Sequence, residues 1–224
     1  MYSIVAMSLS GGRIRPNQPT QLGPPLPVPY HELGFLSSHS ISHSLHVAAT
    51  PLECLEKLID TNTWIAWNPL TPRAVLTATP SITDETTNAP ELRELITRPG
   101  CLYRGVRFTA DVHMFLDPAK RTNTADEECL AVERFETEDG RKGYRVVWRY
   151  IGMPWSLTHG ERVHEFIESK EGHDTEYIGW ETFGGIISFF MKYAMSGVMV
   201  HGFEKWNDGF RIFLEHVGRG ERTY

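Results

Sequence analysis

Cysteine is scarce: Cys54, Cys101 and Cys129 are the chain's three. They are too few and too scattered for a disulfide framework or a paired zinc knuckle, so reduced thiols and a cytoplasmic setting are expected. A basic block is missing as well. The 22 Lys+Arg stand against 28 Asp+Glu, a formal charge of -6, which removes the electrostatic footprint of a nucleic-acid surface or a polybasic anchor. The longest apolar run, residues 186–200, is interrupted by Lys192 and falls short of a bilayer span, so no integral membrane segment is expected. Residues 1–10 lack the positive start of a signal peptide. No Gly-, Ser- or charge-rich linker divides the middle of the 224 residues, so one main domain is expected. No His-x-x-x-His falls on a helix, His39 and His43 being four residues apart on a strand and too far from each other for one metal; there is no Cys-x-x-Cys or carboxylate cluster, and Gly184-Gly185 lacks the third glycine and the Lys-Ser/Thr of a phosphate cradle. Neither a metal nor a cofactor is expected.

What is present is the composition of an ordinary globular chain, 41% hydrophobic and 22% charged, enough to build a core. Residues 1–35 form a proline-rich N-terminal extension. Pro16, Pro19, Pro24, Pro25, Pro27 and Pro29 exclude helix and favour extended chain, a tail or an arm laid over the domain. From Ser38 the pattern alternates, with His39, Ile41, His43, Leu45 and Val47 on one side, as in a half-buried strand. Thr50-Pro51 with Glu53 reads as a capping box opening a helix to about residue 60, and residues 64–69 form a second short helix that Pro69 ends. A strand at 73–79 and an excursion at 80–99 with a short helix at 90–96 follow. Hairpin-sized strands are then expected at 101–116, 128–136, 143–151, 157–168 and 175–183, the last hairpin turning near 171–172. From residue 187 the period becomes helical, with Phe189, Tyr193, Ser196, Val200, Phe203 and Phe210 on one face and Gly218 as the stop; such a helix is about 45 Å long.

This order is α+β: a curved antiparallel sheet of about seven strands wrapped around a long C-terminal helix, with two short helices after the first strand. The domain spans residues 36–218, and 219–224 form a tail. A helix gripped by a curved sheet leaves room for a drug-sized pocket.

Several motifs make the pattern more specific. Val47-Ala-Ala-Thr-Pro51 precedes a helix and Trp67-Asn68-Pro69; His164-x-Phe166 and Glu181-x-Phe183-x-Gly185 lie on successive strands; Gly202-Phe203-x-x-Trp206-Asn207 lies in the last helix. Together they resemble the SRPBCC superfamily, the helix-grip group of START domains, birch-pollen-allergen-like proteins and polyketide cyclases, over roughly residues 38–217. The resemblance implies a deep apolar cavity for lipids, hormones or aromatic polyketide-like compounds. Some members carry the ligand, and others cyclise, dehydrate or isomerise it.

His164 and Glu181 lead the candidate catalytic residues. If their hairpin pairs residues whose numbers sum to an odd value near 343 or 345, both face the same side. A carboxylate beside an imidazole in an apolar cavity would raise the ring's pKa and make a proton shuttle near neutral pH. Strand stabilisation is the competing role. Tyr144, Trp148 and Tyr150 alternate with outward Arg145 and Arg149, so Trp148 is a wall, and Tyr150 brings a hydroxyl able to hold a substrate oxygen. On the 101–116 strand Tyr103, Arg107, Asp111 and His113 face out, and Arg104 stands as an inward charge that would pair with a carboxylate or an acidic ligand. His43 lines the cavity from the first strand, or is a core histidine. Lys192, Met199 and Phe203 fall on the buried stripe of the last helix, where Lys192 would reach the pocket mouth or snorkel. Trp67 belongs to the implied lining.

Three functions remain open. One is a metal- and nucleotide-independent cyclase, isomerase or dehydratase of secondary metabolism acting on a polyketide- or terpenoid-like molecule. Another is a non-catalytic carrier or sensor of a hydrophobic ligand; under either reading the protein is a monomer or a homodimer. The last is an interaction module whose proline arm recruits a partner.

Overall fold

The structure, a computed structural model, describes residues 6–10, 12–30, 37–83, 86–87, 89–117, 119, 121, 123–170, 172 and 174–220. Glu171 and His173 of the expected last turn, and residues 221–224 of the expected tail, lie outside that set.

Among the described residues there are nine strands: β1 (Ala6–Met7), β2 (Gln21–Gly23), β3 (Ser37–Val47), β4 (Arg73–Ala78), β5 (Arg107–Val112), β6 (Asn123–Glu136), β7 (Lys142–Tyr150), β8 (His159–Glu168) and β9 (Thr175–Gly184). They form one sheet in the order β2-β3-β9-β8-β7-β6-β5-β4, antiparallel along that path, while β1 pairs in parallel with the end of β6. The helices are α1 (Pro51–Ile59), α2 (Trp64–Trp67), α3 (Leu92–Ile96), α4 (Ile186–Ala194) and α5 (Ser196–Gly220). Helix α1 opens on the capping box: Thr50 accepts from the Glu53 N–H, and the Glu53 carboxylate accepts from the Thr50 N–H.

Helix α5 lies in the concave face of the sheet. Met199, Phe203, Trp206, Phe210 and Leu214 recur at helical spacing and are all buried there. They pack with Trp64, Phe108, Trp148, Phe166 and Tyr177 in one aromatic-rich core. A second cluster, with Ile14, Phe135, Val147, Val163, Ile178 and Trp180, lies on the opposite side of the sheet. Leu9, Leu26 and Val28 of the N-terminal arm pack against it. The arm therefore covers the convex face. Trp180 Nε1 donates to the Pro27 carbonyl, Thr182 Oγ1 donates to the Leu26 carbonyl and the Leu26 N–H donates to Ser40 Oγ. For this reason β3 is not half-buried as its alternation suggested. Its serines, Ser40, Ser42 and Ser44, are buried beneath the arm as fully as Ile41 and His43 are inside the grip.

Two other expectations change. The C-terminal helix is not one straight rod: it breaks at Met195, whose backbone is non-helical, and α4 and α5 meet at 83°. The bend takes Phe189 and Tyr193 out of the buried stripe, leaving Tyr193 84% exposed. Helix α5 also runs through Gly218 to Gly220. The strand expected at 101–116 is real only over Arg107–Val112. Residues before it turn, so Tyr103 is buried and donates to the Pro80 carbonyl, whereas Arg104 is exposed. Among the described residues no single helix is long and apolar enough to cross a membrane.

Under the arm, the Arg145 guanidinium is bound by Glu133 and Glu165 and donates to the Met7 carbonyl, and Glu165 accepts from the Leu9 N–H and Ser8 Oγ. Glu165 is 0% exposed. Removing one partner of a buried pair leaves the other charge desolvated, so Arg145→Ala is expected to lower unfolding free energy by about 3–5 kcal/mol, measured by the urea midpoint. A shift below about 1 kcal/mol would show that solvent reaches Glu165 despite the arm.

Candidate functional site

The register across the central strands sets out the concave wall in rows. Arg162 stands opposite Glu181 on β9 and opposite Trp148 on β7; His164 stands opposite Gly179, which in turn faces His43 on β3. The paired numbers on β8 and β9 sum to 343. His164 and Glu181 therefore share the inner face, one row apart. In the row beyond, Tyr150 pairs with Glu127 of β6.

Two glycines shape this wall. A Cβ at Gly160 would stand 2.9 Å from Glu181 Oε1, and a Cβ at Gly179 would stand 2.4 Å from the His43 ring. Their bareness lets the carboxylate and the imidazole lean across neighbouring strands.

Arg162 occupies the centre. It is 7% exposed, with its guanidinium carbon 4.1 Å from the Trp206 ring centroid and 4.3 Å from that of Phe203 on α5. Stacking on aromatic faces offsets part of the cost of burying a cation. It does not replace a counter-ion. Arg162 takes part in no ion pair among the described residues, and its Nη2 has no hydrogen-bond partner.

The groups around Arg162 respond to burial and to its charge. Desolvation lifts the Glu181 carboxyl to about 7, with Arg162 pulling the other way. Desolvation also lifts Glu127 to about 8, helped by Glu181 and again opposed by Arg162. Both residues are partly accessible, yet desolvation dominates their carboxyls. A direct ion pair with Arg162 would have depressed both values, and neither carboxyl forms one among the described residues.

The imidazoles behave differently from the expected shuttle. His164 is fully buried, and burial, then Arg162 and His43, hold its pKa well below 6.5. Its Nδ1 shares a 2.6 Å hydrogen bond with the Tyr177 hydroxyl, not with Glu181, and its Nε2 has no partner. Burial raises the Tyr177 phenol, which keeps its proton. With the phenol donating, Nε2 carries the ring proton and presents a neutral donor. His43 is lowered to about 3 and His39 to about 4, each mainly by burial. His39 stacks on Phe183 and its Nδ1 lies 2.6 Å from Ser38 Oγ. All three rings are neutral near pH 7.

The other expected residues divide. Trp148, 4.5 Å from the His164 ring, and Phe203 and Met199 on α5 face the grip. Tyr150 is half-buried beside Glu127. Lys192 sits on α4, half-buried, and donates to the Ser38 carbonyl at 3.5 Å, close enough to depress His39. Trp67 packs against Trp206 and Phe210 on the far side of the aromatic cluster, and its Nε1 donates to Thr63 Oγ1. Arg104 is not part of the wall, because the chain turns there. Where an apolar cavity was expected, Trp64, Phe108, Trp148, Trp206 and Phe210 interlock across one end of the grip. No group of three metal-ligating side chains occurs among the described residues.

Two central residues, Arg162 and Glu127, were missed in the sequence. Arg162 carried a usable signal, since it shares parity with His164 on one strand. Glu127 did not. A bulge between Cys129 and Ala131 reverses the alternation of β6 midway, so the inward set changes from odd to even numbers.

The chain has the helix-grip fold, as the SRPBCC resemblance implied. No protein-family model matches the sequence, and no curated protein matches it. Among solved structures, a hypothetical protein of Helicobacter pylori matches 95% of this chain and 98% of its own at 12% identity, with a TM-score of 0.55. A norcoclaurine synthase point mutant of Thalictrum flavum matches 84% of this chain and 99% of its own at 9% identity and TM-score 0.49. The di-domain ARO/CYC protein StfQ of the steffimycin biosynthetic pathway matches 82% of this chain and 52% of its own at 15% identity and TM-score 0.48.

The pKa values give a pH dependence. Glu127 and Glu181 keep protons in the fold at pH values where ordinary carboxyls, near 4.5, have lost them. The folded state then binds more protons, so stability falls as pH rises through the window from about 4.5 to 8. The histidines act in the opposite sense, losing stability as pH falls below 6.5, and contribute nothing above it. Between pH 6.5 and about 8.5 the unfolding free energy is expected to drop by on the order of 2 kcal/mol. Glu127→Gln with Glu181→Gln should flatten that slope in urea titrations. An equal slope in parent and variant would contradict the assignment.

Proposed function

We propose that the chain is an acid–base enzyme acting on an apolar small molecule held between the sheet and α5, in a cyclisation, dehydration or double-bond migration that needs neither metal nor nucleotide. The observation that carries this reading is the pair of carboxyls raised to about 7 and about 8 by desolvation, both within the field of the buried Arg162. A base poised near the working pH is the most effective proton acceptor, and two such groups divide the roles of base and acid. Glu181 is the group that ionises first and takes a proton from carbon or oxygen. Glu127 retains its proton longer and returns one. Developing negative charge on a substrate oxygen would be stabilised by Arg162 and by the His164 Nε2–H, donors already in place and partly dry. Tyr177 is a positioning residue that fixes the His164 tautomer. Tyr150 orients a substrate oxygen beside Glu127.

A carrier is the second reading. The three neutral imidazoles favour it, because fixed uncharged donors anchor a ligand without changing it.

A reaction probe separates the two. Kemp elimination of 5-nitrobenzisoxazole requires only one desolvated carboxylate within reach of a C–H bond. The parent is expected to accelerate it, with a rate that rises through about pH 7–8, and Glu127→Gln with Glu181→Gln should lower kcat/KM by about 100-fold or more while leaving probe affinity within a few-fold. A rate equal to that of the double variant at every pH rejects the enzyme and leaves the carrier.

A further inference from the structure

The charges around the proposed recess between the sheet and α5 do not balance. Arg162 is a permanent cation, buried, with a free Nη2 and no ion pair among the described residues. The groups within its field come from several strands: His164 from β8, Tyr177 and Glu181 from β9, Glu127 from β6 and His43 from β3. Tyr150 of β7 adjoins Glu127, and His39 of β3 adjoins Lys192 of α4. Helix α5 contributes only rings, Phe203 and Trp206, at the closest approach. The imidazoles are neutral and the phenols keep their protons, because burial lowers the former and raises the latter. Lys192 is half-buried and reaches solvent, which leaves Arg162, among the described residues, as the buried cation without a counter-ion, near two carboxyls that do not close on it.

We propose that the ligand of this recess carries a single-charged oxygen head, a carboxylate or an equally acidic enol or phenol, and that Arg162 takes this head as its counter-ion. The apolar remainder of the ligand lies along Phe203, Met199 and Trp148. A guanidinium presents a planar fork that matches a carboxylate, and its aromatic sandwich between α5 and the sheet already holds it in orientation. Protonated Glu127 and Glu181 complete the site as donors to the same head. A doubly charged head such as a phosphate monoester would leave one buried negative charge in excess, so the site discriminates against it. This rests on the recess being a ligand site, as proposed above, and not on any turnover there.

The test uses the full chain and three probes of one shape: 2-naphthoic acid, its methyl ester and 2-naphthyl phosphate, with binding read by tryptophan fluorescence and calorimetry. At pH 6.5 the acid is expected to bind at least about 10-fold more tightly than the ester or the phosphate. By pH 9 the preference for the acid should shrink by about 10-fold, because Glu127 and Glu181 then ionise against it. Glu127→Gln with Glu181→Gln should keep the preference at both pH values, and Arg162→Met should abolish it at both. Should Arg162→Met fail to fold, the pH response of the parent against the Gln variant decides alone. Equal binding of acid and ester by the parent overturns the proposal, as does no binding of the acid, or an unchanged preference at pH 9 in the parent. Failure of the Kemp reaction with a kept acid preference would remove the enzyme and leave this assignment standing.

Discussion

Arg162 places a permanent charge where the sheet and α5 meet, and the surrounding arrangement follows from the cost of keeping it there. A cation removed from water needs either a counter-ion or a polarisable enclosure. Here the enclosure is supplied by Trp206 and Phe203, which approach the guanidinium to 4.1 and 4.3 Å. That contact ties the position of α5 to the middle of β8. It also explains why the carboxyls on β6 and β9 stay near neutrality: they feel the charge, but desolvation outweighs it at their separation.

The same region shows what the aromatic core contributes. Trp64, Phe108, Trp148, Trp206 and Phe210 close one end of the grip with edge-on and tilted ring contacts. This end supplies rigidity. The polar atoms without partners, on His43, His164 and Arg162, gather beside it. Buried polar groups are ordinarily satisfied, and these unpartnered atoms support the ligand site proposed above.

On the opposite side of the sheet the problem is reversed. A sheet gripping a helix would leave its convex face wet, yet Trp180, Val163, Ile167 and Phe135 point that way. The proline arm solves this with backbone and apolar contacts, and prolines suit it because a strap needs few donors. Its carbonyls at Leu26 and Pro27 accept from side chains of β9, and Glu165 fastens the arm's Ser8 and Leu9. The wall that bears the candidate site is therefore packed on both faces, which limits its flexing and holds the register of Arg162, His164 and Glu181.

Local rules were sufficient for much of this. Period-two alternation located β3, β7, β8 and β9, the Thr50–Glu53 box located α1, and antiparallel pairing arithmetic put His164 and Glu181 on one face, because each of these depends on neighbours a few residues away or across one tight hairpin. Tertiary structure decided the rest. A bulge at Cys129–Ala131 turned Glu127 inward, a turn at 103–105 released Arg104 to solvent, and a break at Met195 bent the last helix by 83°. Whether an inward carboxyl is an acid or a base, and whether His164 carries charge at all, depends on how much water the fold excludes and which charges it brings near. Those distances run between strands remote in sequence, and periodicity within one strand holds no record of them.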